Sequence, residues 1–246
     1  MRASKYEVHS LCKRAFAGLG FVDGADDDAA AMVAWAEVNG LRGLQRLADV
    51  LDGLDGSQSG RLELIARDRC SAELDAGGQS VLAVGPAAVE LAGVLAAASD
   101  RAEVLLRDCR DQPFAVSLAA GLAARGQRVE LRWREGDELL HCCCDGGAAR
   151  LYRGPADGAI AADLLQIRVA PAGQYSARQS FAGQPPADER PADWSLDADI
   201  AHCALARGIQ PPEALWQSLL GYGQRRLVPA TEASRQRGAG GGDAND

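Results

Sequence analysis

Lysine is almost absent from this sequence: of 26 basic residues only Lys5 and Lys13 are lysine, and the rest are arginine. Against 34 acidic residues this leaves a formal net charge of −8. That sign is opposite to what neutralising nucleic-acid phosphates or an anionic membrane surface requires, so a small molecule or another protein is the expected partner. Histidine is scarce as well, with His9, His141 and His202 only, and a multi-histidine metal or relay site would use nearly all of them. Aromatic residues make up 5%, and Trp35, Trp133, Trp194 and Trp216 are scattered without interleaved basic residues. They read as core or loop anchors rather than stacking platforms. No basic segment leads into an apolar run at the N-terminus. The longest alanine-rich stretch, residues 86–98, is interrupted by Glu90 and falls short of the roughly 20 apolar residues a bilayer span needs. A cytoplasmic protein is expected. The seven cysteines, Cys12, Cys70, Cys109, Cys142, Cys143, Cys144 and Cys203, include no Cys-x-x-Cys pair. In a reducing compartment free thiols behave as small buried hydrophobes, so no disulfide framework is expected.

What is present is the composition of a folded protein, with 47% apolar and 24% charged residues over 246 positions. A chain of this length buries about 70–75% of its unfolded surface. Richness in alanine, glycine and arginine points to a bacterial source of high GC content. Ser4-Lys-Tyr-Glu7 has the form of a capping box, and Val8, Leu11, Cys12, Ala15, Phe16 and Leu19 follow at helical spacing. Asp26, Asp27 and Asp28 favour the start of a second helix that Asn39-Gly40 ends, and Leu41, Leu44, Leu47, Ala48 and Leu51 mark a third. These helices form an N-terminal segment, residues 1–54, joined by the turn-rich residues 55–60 to a body over residues 61–228.

In that body the period changes to two. One or two half-exposed strands cover residues 62–74, and then strands at 81–84, 104–106 and 129–133 alternate with helices at 87–98 and 112–124. Such alternation points to parallel strands with crossover helices. Glu135-Gly-Asp137 and Asp145-Gly-Gly147 separate short strands at 128–134, 138–144 and 148–153 in a meander. Leu165, Ile167 and Val169 supply another strand, residues 170–191 form a long loop, and helices at 196–206 and 212–220 precede a glycine-rich tail over 229–246. The fold class is α/β or α+β, a helical N-terminal segment on a mixed sheet, and the three segments are expected to form one structural domain.

His141-Cys142-Cys143-Cys144 offers zinc-ligand types. In a strand His141 and Cys143 share one side while Cys142 and Cys144 share the other, so four convergent ligands need a bulge. Packed cysteines with a satisfied histidine is the preferred reading, ahead of a reactive thiol and of a metal site. His202-Cys203 lies on a helix, where neighbours project about 100° apart, and reads as helical packing. His9 reads as a surface residue. Val84-Gly-Pro-Ala-Ala follows a predicted strand and opens a helix but lacks the glycine patterns of a dinucleotide or phosphate loop. Asp108-Cys-Arg-Asp111 ends a strand where ligands commonly bind, with Asp111 as the N-cap of the following helix as the simpler reading. No motif calls for a cofactor or metal.

The tail holds the candidate ligand residues: Thr231 and Ser234 offer hydroxyls, Glu232 a carboxylate and Arg235 a forked donor, among glycines that permit close approach. A loose terminus is the competing reading.

Residues 6–20 through Asn39-Gly-Leu-Arg-Gly43, together with Val228-Pro-Ala-Thr-Glu-Ala-Ser-Arg235 and Gly238-Ala-Gly, resemble a bacterial family of similar length defined only as a domain of unknown function. That resemblance brings no activity with it, and implies that the tail is docked as part of the domain. Leu41-Arg42-Gly43 is also similar to a step in the N-terminal helices of the malate and lactate dehydrogenases that lack a Rossmann domain. There the step is followed by Ser-His-Gly, but here by Leu44-Gln45-Arg46-Leu47, so the residue expected to transfer a proton is missing. The combined expectation is a small-molecule-binding or auxiliary protein whose site the tail closes. The alternatives are a nicotinamide-dependent or cysteine-based enzyme, or a structural subunit of a larger complex.

Overall fold

The computed structural model describes residues 1–56, 60–156, 160–172 and 193–225. The first helix, α1 (Lys5–Gly18), starts at the capping box: Ser4 Oγ accepts from Glu7 N at 3.2 Å, and Glu7 Oε2 accepts from Ser4 N at 2.7 Å. Two orphan N–H groups of the helix start are thereby satisfied. The second, α2 (Ala25–Val38), carries Asp26, Asp27 and Asp28 in its first turn, at the positive end of the helix dipole. The third, α3 (Gly43–Val50), runs on into a 3-10 turn over Leu51–Leu54.

Among the described residues eight strands form one mixed sheet: β1 (Glu63–Arg67), β2 (Ser71–Asp75), β3 (Ala102–Arg107), β4 (Gln127–Glu135), β5 (Glu138–Asp145), β6 (Ala148–Pro155), β7 (Leu165–Pro171) and β8 (Trp194–Ser195). Their spatial order is β1-β2-β3-β7-β4-β5-β6-β8. The helices α4 (Val81–Ser99) and α5 (Ala115–Ala124) connect β2 to β3 and β3 to β4, and α6 (Ala198–Arg207) and α7 (Glu213–Gln224) follow β8. Of the sheet pairs, β2 with β3 is parallel and the rest are antiparallel.

The predicted strand at 81–84 does not form. Ser80 accepts from Leu82 N at 3.2 Å and caps a single 19-residue helix in which Pro86 is internal. A short apolar run such as Val-Leu-Ala-Val fits a buried helix as well as a buried strand, and β2 takes the place the missing strand was expected to fill. Helix α4 is long and apolar enough by composition to cross a bilayer, yet 61% of that window is buried inside the protein. It is the core helix, packed on β3, β7, α2 and α5.

Register makes the two faces of the sheet unlike. Leu74, Leu106, Val104, Ile167, Val169, Leu131, Trp133, Leu140, Cys142, Cys144 and Leu151 lie on one face and are buried. This face meets α4 and α5, and α2 packs behind them. The buried apolar residues of sheet and helices form one continuous cluster from Ala3 to Leu219.

Candidate functional site

The opposite face of the sheet is polar. One rung crosses seven strands as Ser71, Glu103, Arg168, Glu130, Cys143, Arg150 and Ser195. The next runs Glu73, Leu105, Gln166, Arg132, His141 and Tyr152. Alternate positions on strands share a face, so the two-residue spacing of His141 and Cys143 brings them together as the sequence predicts. Cys142 and Cys144 go to the core face, their sulfurs 3.7 Å apart.

Sequence reasoning missed Glu130. Its carboxylate joins the pair: Oε2 is 3.7 Å from His141 Nε2, which in turn is 3.3 Å from Cys143 Sγ. The first distance suits an ion pair and is too long for a hydrogen bond. Glu130 and His141 are only 2% and 7% exposed, and Oε2 has no hydrogen-bond partner among the described residues. A buried acceptor left unsatisfied costs about 1–3 kcal/mol, and more when charged. Arg128 Nη2 donates to the other oxygen, Oε1, at 2.9 Å, which fixes the carboxylate with Oε2 toward the histidine. On the same face Gln166 Oε1 and Arg168 Nη1 are also buried without hydrogen-bond partners among the described residues.

Burial acts to raise the Glu130 carboxyl, but the neighbouring His141 and Arg128 outweigh it and hold the group below its usual value. Burial, and then the Glu130 carboxylate, push the Cys143 thiol up to about 12. A nucleophilic cysteine needs the reverse, a depressed pKa. The geometry also differs from a cysteine–histidine–acid relay. A relay places the nucleophile and the acid on opposite ring nitrogens, whereas here a single nitrogen faces both. The three groups converge on a point, all their ligand atoms within 4.8 Å of one another.

The remaining predicted positions separate. His202 and Cys203 are exposed on α6, which corrects the packing role expected for them, because that helix meets the core through Ala201 and Ala204. His9 is half-buried, 3.6 Å from Asp27. Gly85 and Pro86 lie inside α4, so no helix start exists there to hold an anion. Asp111 stands at the N-cap position but in a left-handed conformation, φ 62°, and makes no side-chain cap. It hydrogen-bonds Ser80 instead, and burial outweighs that bond and the nearby Arg110, so that its carboxyl is raised. Thr231, Glu232, Ser234 and Arg235 lie outside the described residues.

The Leu41-Arg42-Gly43 step is a tight junction between α2 and α3. Arg42 is left-handed, φ 54°, and a Cβ on Gly43 would stand 2.2 Å from the Val33 carbonyl oxygen. Glu37 Oε2 accepts from Leu44 N at 2.9 Å, closing the start of α3. The four residues that follow the step are all engaged: Leu44 and Leu47 are buried, Gln45 donates to Asp49 and Arg46 pairs with Glu135 at 3.3 Å.

Residues 3–80 match the model of a family described as Protein of unknown function (DUF3726). The match contains the N-terminal stretch that carried the resemblance and stops short of the C-terminal one. No curated protein sequence matches the chain. Among solved structures, malate dehydrogenase from Pyrococcus horikoshii OT3 superposes with a TM-score of 0.63 at 12% identity, covering 92% of this chain and 95% of that one. Sulfolactate dehydrogenase from Methanocaldococcus jannaschii gives 0.62 at 11%, covering 90% and 96%. Delta1-piperideine-2-carboxylate reductase from Pseudomonas syringae pvar. tomato gives 0.57 at 13%, covering 90% and 99%. The chain has the malate/lactate dehydrogenase-like fold.

Proposed function

We propose that this chain is a cytoplasmic small-molecule-binding protein that uses a malate/lactate dehydrogenase-like fold without hydride transfer. The observation that carries this reading is the start of α3. Where the dehydrogenase resemblance implies a proton-transferring histidine, Leu44 and Leu47 enter the core and Arg46 is held by Glu135. Reversible hydride transfer to a carbonyl needs a group that gives and takes the accompanying proton, and these side chains cannot do so. The neighbouring structures' names, malate, sulfolactate and piperideine-2-carboxylate, share a small carboxylate. A small organic acid is therefore the proposed ligand class. The C-terminal string Thr231, Glu232, Ser234 and Arg235 is the proposed closure of its site, with Arg235 suited to a carboxylate.

The test is to incubate the purified protein with NADH or NADPH and 2-oxo acids, and with NAD or NADP and malate, lactate or sulfolactate, following nicotinamide absorbance. The expected result is no turnover, together with a rise in melting temperature on adding one of the acids alone. A chain truncated after Val228 should lose that rise. Turnover above background would sink the reading.

A second reading, a nicotinamide-dependent oxidoreductase with a different proton donor, is favoured by a fold likeness covering at least 90% of both chains. Cofactor binding separates it from the first. A cysteine-based enzyme is disfavoured by the thiols of Cys12, Cys109 and Cys143, each pushed up to about 12 with burial as the largest cause.

A further inference from the structure

We propose that Glu130, His141 and Cys143 form a binding site for a divalent transition metal of borderline softness, zinc(II) in the first instance. The site is independent of whether the chain binds an organic acid or a nicotinamide.

The argument begins with the donor set. One imidazole nitrogen, one thiol sulfur and one carboxylate oxygen are the ligand types that zinc takes, whereas calcium and magnesium take oxygen. Distances come next. Zinc–nitrogen, zinc–oxygen and zinc–sulfur bonds of about 2.0–2.3 Å in a tetrahedron imply ligand-to-ligand edges of roughly 3.4–3.6 Å. The edges from His141 Nε2 are 3.3 Å to Cys143 Sγ and 3.7 Å to Glu130 Oε2, on either side of that range. All three donors lie within 4.8 Å of one another.

An independent observation points the same way. Glu130 Oε2 is a buried carboxylate oxygen with no hydrogen-bond partner among the described residues, on a side chain only 1% exposed, aimed at the same nitrogen as the sulfur. Arg128 holds Oε1, which leaves Oε2 as a single-oxygen ligand and supplies the outer-shell support that ligating carboxylates have in metal sites. On binding, the Cys143 thiol gives its proton to solvent as the sulfur–metal bond forms, and neutral His141 ligates through Nε2 with its remaining proton on Nδ1. Three protein ligands leave a fourth position for water or a ligand group, the open arrangement rather than the closed structural one.

Three rigid attachments pre-form this site. Glu130 and Cys143 are direct cross-strand partners, His141 is two residues from Cys143 on the same strand, and Tyr152 stands opposite His141, with 6.4 Å between ring centroids.

The experiment uses the full chain, stripped with a chelator, and measures zinc by competition with a chromophoric chelator and cobalt(II) by absorption. The expected result is one ion per chain and a near-ultraviolet thiolate-to-cobalt band. Cys143→Ser should abolish the band, and His141→Gln and Glu130→Gln should each weaken zinc by more than about a hundredfold, beyond the roughly 10–100-fold that loss of an outer-shell partner costs. Melting of each variant without metal identifies any that fails to fold, and Cys143→Ser, half-buried and nearly isosteric, is the arm that decides. Cys144→Ala on the core face and the surface variant His202→Gln/Cys203→Ser should keep the full stoichiometry. Absence of one-to-one binding by the native chain would overturn the proposal. So would a folded Cys143→Ser variant with native affinity and an unchanged cobalt spectrum.

Discussion

Trp194 on the short edge strand β8 donates its indole N–H to the backbone carbonyl of Asn39, at the end of α2, at 2.8 Å. The two residues are 155 positions apart in sequence, and Trp194 also meets Trp35 edge-on at 6.3 Å between ring centroids. This contact ties the last strand of the sheet to the N-terminal helices. Trp194→Phe keeps most of the ring contact and removes the hydrogen bond, so it should cost about 1 kcal/mol, measured by urea denaturation. A variant as stable as the native chain would show that the bond contributes nothing.

Two glycine substitutions should act in opposite directions. Gly43→Ala drives a methyl group into the Val33 carbonyl and the Glu37 amide nitrogen, at 2.2 and 2.8 Å. Both are backbone atoms that cannot step aside, and at least about 2 kcal/mol should be lost. Gly121 in α5 has no atom of the described residues within 4 Å of its added Cβ and no positive φ. There Gly121→Ala should stabilise by about 0.4–1 kcal/mol through the unfolded chain. Melting temperatures of the pair, measured side by side, check the contrast.

The fold was legible in the sequence where local chemistry decides it. The Ser4–Glu7 box, the aspartates of α2 and the tight turns of the meander place α1, α2, β4, β5 and β6 within a few residues of where they stand. Residues 81–84 misled because an apolar run without polar alternation has no period to read, and only Ser80, as a cap, marks the helix. The place of β7 between β3 and β4 was hidden, since strand order depends on contacts remote in sequence. Two of the three residues of the candidate site were readable. His141 and Cys143 sharing a face follows from pleat alone, but Glu130 required the hairpin register. That register was available in principle: with Gly136-Asp137 as the loop, Glu135 pairs with Glu138, and counting back five residues on each strand sets Glu130 opposite Cys143.

The acid sensitivity of the protein should pass partly through Glu130. Its folded carboxyl lies below the ordinary value of 4.5, burial being outweighed by His141 and Arg128. The stability this provides is present above that ordinary value and is lost as the pH falls through the lower, folded one. Glu130→Gln should therefore be less stable than the native chain at neutral pH, with the gap narrowing below the usual carboxylate range. Denaturant titrations at several pH values between about 7 and 3 read this out, and a constant gap would contradict it.

Thiol chemistry should rank the cysteines by burial. Cys203 is exposed, Cys70 is half-exposed, and Cys12, Cys109, Cys142 and Cys144 are buried. A disulfide reagent added to the folded protein should modify Cys203 first. Cys143, although only half-buried, should lag with the buried group, because its thiol is pushed up to about 12 and little thiolate is present. In denaturant all seven should react. Mass spectrometry after a short pulse gives the order, and early labelling of Cys143 would contradict the environment described for it.

The position of β7 also governs how the chain can assemble during synthesis. Residues 165–171 form the strand that joins the β1-β2-β3 half of the sheet to the β4-β5-β6 half. Until they emerge from the ribosome, a nascent chain holds two half-sheets, each with a bare inner edge open to mispairing with other chains. A stop codon between residues 155 and 165, after β6 and before β7, should therefore release aggregating fragments rather than a smaller soluble fold.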